Sequence, residues 1–105
     1  FASISHLPHI LSFALMLQVA NSEDASVKLG HAGAGFKDFT RIAASSPEMW
    51  RDICLANKAA LLKEMDNYLH LTKMLRDMIA DENGDALLKA FTRASIERQK
   101  WEGRS

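Results

Sequence analysis

Apolar residues recur at helical spacing in three stretches of the chain, separated by the few residues that break helices. In the first, from about Ala2 to Gln18, Ile4, Leu7, Leu11, Ala14, Leu15 and Gln18 follow the 3.6-residue repeat. Phe13, Met16 and Val19 occupy the other side, so the pattern predicts a helix that is apolar almost all round. Such a helix needs cover on several faces, and in a small chain the natural cover is a partner subunit or a second domain. Pro8 lies inside the pattern and either starts a new helix or bends a continuous one. The second region, Asn21 to Ser46, is polar, small and glycine-rich at first, then mixes charge with aromatics. It reads as loop or short helical turns. The third region begins at Ser46, a good N-cap, with Pro47 at the first helical position and Glu48 complementing the positive helix end. From there the pattern predicts one helix to about Ala80, a rod of roughly 50 Å. Leu61, Met65, Tyr68, Thr72, Leu75 and Ile79 form its seam. Asp81-Glu82-Asn83-Gly84 predicts a stop and turn. Asp85 is then the expected cap of a last helix, with Ala86, Leu87, Ala90, Phe91, Ala94 and Trp101 inward.

No run of β-branched alternation predicts a strand. The expected class is therefore all-α: a long-helix bundle without a sheet, whose rod is too long for the rest of the chain to cover and so implies a homodimer. Composition adds to this picture mainly by exclusion. The chain has 105 residues, 48% of them apolar and 25% charged, as expected of one globular domain. Thirteen basic residues balance thirteen acidic ones, which makes nucleic acid and anionic membrane poor partners. The apolar run from Leu7 to Ala20 reads as too short to span a bilayer. The single cysteine, Cys54, has no internal disulfide partner and reads as a buried small hydrophobe. Because the chain begins at Phe1 and no leader is evident, we expect a longer protein cut or processed at this point.

Four groups of residues carry candidate chemistry. His6 and His9, three apart, share a helical face and can hold a metal ion or a carboxylate; the alternative is that one packs and the other caps or faces water. A metal site of His6, His9 and Asp38 lacks a further ligand. Gly30-His31-Ala32-Gly33-Ala34-Gly35 looks superficially like a phosphate-binding loop, but its glycine order is wrong for a dinucleotide fingerprint and no strand precedes it. It reads as a turn that needs permissive backbone. If residues 36–43 are helical, Lys37 and Arg41 share a face and Asp38 neighbours Arg41. Arg41 then offers a planar fork to a carboxylate and Lys37 a point charge; the alternative is a solvated ion pair. Trp50 either lines a pocket or plugs the core.

SHLPHILSFAL at 5–15 and GFKDFTRIAASSPEMWRDICLANK at 35–58, in this order and followed by a long helix, resemble the C-terminal helical domain of prephenate dehydrogenases. The resemblance implies that residues 1–105 are a dimerisation and substrate-binding domain of an intertwined homodimer. The family's N-terminal Rossmann domain, which holds NAD or NADP and the catalytic histidine, would lie outside them. The implied reaction is oxidative decarboxylation of prephenate to 4-hydroxyphenylpyruvate in tyrosine biosynthesis, in the cytoplasm, with this part inactive alone. On the same resemblance Arg41 binds a prephenate carboxylate, and His6 and His9 position the substrate. Lys37, Asp38 and Trp50 line the pocket or its mouth, and the glycine-rich segment is a loop lent by the partner subunit. Arogenate dehydrogenase, acting on the amino analogue, shares these motifs. A purely structural helical dimer is the reading that needs no ligand.

Overall fold

The computed structural model describes residues 1–103, and every element among them is helical. The chain divides into two compact units, residues 1–65 and 66–105.

The first unit opens with a π-helical turn, Ala2–His6, that runs directly into α1, Leu7–Ala20. The amides of Ser5 and His6 both reach the Phe1 carbonyl, at 2.9 Å each, which widens the first turn. Pro8 falls in the opening turn of α1, directly after the π-helical turn, and lacks the N–H that would continue the ladder from it. Helical backbone beginning at Ala2 makes the apolar segment 19 residues long, with a mean hydropathy of 1.3, instead of a run starting at Leu7. By length and composition alone it is long enough to cross a membrane, a test that core helices also pass. α1 packs against α2 (Ala25–Gly30), α3 (Ala34–Thr40) and a 3₁₀ turn, Arg41–Ala44. The region read as loop or turns is thus mostly short helices. Its glycines are not there for left-handed backbone, because none has positive φ. A methyl group added at Gly30, Gly33, Gly35 or Gly84 would meet nothing.

α4, Pro47–Ala56, starts as its sequence predicts: the Ser46 hydroxyl accepts from the Met49 amide at 3.3 Å. The single long rod does not form. Asn57, with φ −114° and ψ 35°, interrupts it and separates α4 from α5, Lys58–Ala80. Leu7, Trp50 and Leu61 are the buried apolar residues of this unit, and Ser12 is fully buried as well. Cys54 is half-buried beside a cleft lined by Ile10, Lys58, Leu61, Leu62 and Met65.

The second unit is a helical hairpin made by the later part of α5 and by α6, Gly84–Gly103. The turn between them is a Schellman motif. Asn83 N–H donates to Met78 O at 2.9 Å and Glu82 N–H to Ile79 O at 3.1 Å, with Glu82 in the left-handed region at φ 51°. Asn83, not Asp85, caps α6: its side-chain oxygen accepts from the Ala86 amide at 3.1 Å. The predicted seam holds at Leu61 and drifts by its end. Ile79 is 62% exposed while Met78 is half-buried, because a straight helix turns every 3.6 residues and not every 3.5. Trp101 is exposed as well, and the Arg98 guanidinium lies 4.6 Å from its ring centre.

Candidate functional site

The site grows from α1 and the helix break. His6 ends the π-helical turn and His9 lies in the first turn of α1, so the three-residue spacing puts both imidazoles on one side. Trp50, near the start of α4, meets both. Its ring stacks on His9 at 3.8 Å between centroids and 18° between planes, and meets His6 edge-on at 5.9 Å and 81°. Trp50 is therefore both core and wall: 7% exposed, yet carrying two half-exposed imidazoles on its surface.

Hydrogen bonds fix each ring. His9 Nδ1 lies 3.0 Å from the Ser5 carbonyl, an oxygen that can only accept. His9 therefore carries a proton on Nδ1 and turns Nε2 away from that bond. His6 Nδ1 lies 3.1 Å from Asn57 Nδ2, across 51 residues of sequence. Two buried polar atoms are without a partner among the described residues, Trp50 Nε1 and Ser12 Oγ.

The structure brings together His6, His9 and Trp50 of the expected site residues. It adds Asn57, which sequence reasoning missed. The available signal was a poor helix former inside a long apolar repeat, a residue type that resists helical continuation. Lys37 and Asp38 lie on α3, and Arg41 opens the 3₁₀ turn, both elements packed on α1. All three side chains are exposed, and among the described residues none makes an ion pair or side-chain hydrogen bond. The Asp38–Arg41 pair read as an alternative does not form, because the α-helix ends at Thr40 and its register with it. Arg41 thus keeps an unpaired fork beside the helix that carries both imidazoles. Among the described residues no three His, Cys, Asp or Glu side chains gather as metal ligands, and Asp38 does not join the histidines. The segment 30–35 links helix to helix, so it lacks the strand–turn–helix cradle of a dinucleotide phosphate. These residues do not fit a nicotinamide cofactor by themselves.

An all-helical chain with apolar surface left uncovered in both units is a helical assembly domain in kind. More narrowly, the chain belongs to the family described as prephenate dehydrogenase, dimerization domain, which matches residues 1–93. It is 40% identical over 92 residues to the cyclohexadienyl dehydrogenase of Zymomonas mobilis, covering 86% of this chain and 31% of that protein. It is 42% identical over 93 residues to the prephenate dehydrogenase of Bacillus subtilis, covering 87% and 25%. Among solved structures, arogenate dehydrogenase of Synechocystis superposes with a TM-score of 0.88 at 28% identity, over 95% of this chain and 37% of that one. Prephenate dehydrogenase of Aquifex aeolicus, in complex with hydroxyphenyl propionate and NAD+, superposes with 0.86 at 35% identity, over 95% and 35%. The chain spans a quarter to a third of the curated relatives it matches.

Proposed function

We propose that this chain is the dimerisation and substrate-binding part of a nicotinamide-dependent dehydrogenase that oxidatively decarboxylates prephenate to 4-hydroxyphenylpyruvate. The observation that carries the reading is the convergence of His6, His9 and Trp50, with an unpaired Arg41 on a helical turn that packs against α1. Arg41 supplies the fork for a carboxylate, Lys37 adds positive charge, and Trp50 gives an aromatic wall. Asp38 sits on the same short helix as Lys37 and lines the mouth. His6 and His9 position the substrate through polar contacts. The cofactor, NAD or NADP, belongs to a Rossmann domain outside these residues; when bound it accepts the hydride. The cytoplasm is the compartment we assign to the enzyme.

The test is Arg41→Ala in the full-length protein. Losing a hydrogen bond to a charged group raises KM for prephenate roughly 10- to 100-fold, with kcat affected less. An unchanged KM removes Arg41 from the site. The isolated chain should reduce no NAD in the presence of prephenate, and turnover by it would end the division of labour. The superposition on arogenate dehydrogenase favours a second reading, in which the amino analogue is the substrate. Rates of the full-length protein on the two compounds, measured side by side, decide between them.

A further inference from the structure

We propose that Asn57 is a positioning residue that holds His6 in the tautomer with its proton on Nε2, so that His6 faces the substrate as a hydrogen-bond donor. The inference rests on the reading of His6 as a substrate-contacting group.

Three observations carry it. First, the break at Asn57 is not needed by the backbone: Asn57 N–H donates to Ile53 O, and its carbonyl accepts from Leu61 N–H, at 3.0 Å each. With its backbone groups so paired, the side chain of Asn57 at the interruption meets a ring 51 residues away. Second, the contact has a direction. The amide nitrogen of Asn57 only donates, so the His6 Nδ1 it meets at 3.1 Å holds a lone pair, and the ring proton is on Nε2. Trp50 meets the same ring in a T-shaped contact, 5.9 Å between centroids. Third, the neighbouring imidazole has the opposite assignment. His9 has its proton on Nδ1, facing the Ser5 carbonyl, and a lone pair on Nε2 when neutral. The two rings therefore differ at their outer nitrogens, one a donor and one an acceptor. A donor at His6 suits a carboxylate or keto oxygen and disfavours a group that must itself donate. An orienting partner behind a functional imidazole acts in this way at metal sites too, where it sets which nitrogen is available.

The experiment uses the full-length protein labelled with nitrogen-15 at histidine, in alkaline buffer where imidazoles are neutral. The His6 signals are identified by their loss in His6→Gln. The wild type should show His6 protonated at Nε2. Asn57→Asp replaces the donor with a carboxylate of the same size, so the ring should invert to Nδ1–H. KM for prephenate should rise about tenfold or more, with kcat changed less. A His6 ring already protonated at Nδ1 in the wild type, or one unmoved in Asn57→Asp, overturns the proposal. The wild-type spectrum needs no variant to fold, and an unchanged far-UV circular dichroism spectrum certifies the variant. An inverted ring with an unchanged KM would keep Asn57 as the group that sets His6 but remove His6 from the substrate, so failure of the substrate reading shows separately.

Discussion

Trp50 concentrates two roles in one side chain. Its ring is 7% exposed and supports both imidazoles, while its Nε1 is buried without a partner among the described residues. An unpartnered buried N–H costs stability, so a large apolar benefit must outweigh it. Trp50→Ala should destabilise the chain by about 3–5 kcal/mol, the usual cost of deleting a large buried aromatic. Trp50→Phe keeps an aromatic face for His9 and removes the orphan N–H, so its cost should be much smaller, about 1 kcal/mol. Thermal melts of the two variants check the ordering, and equal losses would show that a buried phenyl ring recovers none of what the indole supplies. The residue types at 6, 9, 41 and 50 were legible as candidate chemistry because imidazole, guanidinium and indole are uncommon and chemically pointed. Asn57 was not legible, since an asparagine acquires a role only from what its amide faces.

At the level of elements, the turn after α5 places a non-glycine residue where glycine is favoured. Glu82 adopts φ 51° as the left-handed residue of the Schellman motif. A side chain there costs roughly 1 kcal/mol, so Glu82→Gly should stabilise the hairpin by about that amount in a denaturant titration. The sequence located this turn at Asp81-Glu82-Asn83-Gly84, and Gly84 itself begins α6. On the exposed side of α5, Asp77 accepts from Lys73 and Arg76 at 2.9 Å each. The hydrogen bond from Lys73, then that from Arg76, hold its carboxyl below the ordinary 3.8. A depressed folded value means that the contribution is present at pH above 3.8 and is lost as pH falls through that lower value. Asp77→Asn should therefore melt below the wild type at neutral pH and converge with it in acid. Added salt should narrow the neutral-pH gap, because these groups are exposed.

At the scale of the whole molecule, many large apolar side chains are open to solvent. In the second unit Leu69, Leu71, Ile79, Leu88 and Phe91 are each more than half exposed. Tyr68, Leu71, Met74, Leu75, Met78, and Ala90 with Phe91 line an apolar groove of about 330 Å³. The family's dimerisation role accounts for such surface, since exposed apolar patches of this kind mark association. Phe91→Asp puts a charge into that groove and should shift the protein from dimer to monomer in sedimentation at micromolar concentration. An unchanged dimer would place the interface elsewhere. The all-round apolar pattern of α1 forms the helix that its periodicity predicts, and much of that helix's surface is open.

Taken by itself, the sequence determined the class of every long element, the cap at Ser46, the turn after Ala80 and the family, because these depend on periodicity, capping chemistry and ordered motifs within a few residues. Tertiary structure decided the rest. It broke the predicted rod at Asn57, turned the glycine-rich segment into short helices, put Arg41 on a 3₁₀ turn without Asp38, and laid His9 flat on Trp50. The ring stack and the Asn57 contact join residues distant in the chain, whose energy local propensity does not contain. The amide of Asn57 is the clearest case: its partner lies 51 residues away, and only folding brings the two within hydrogen-bonding distance.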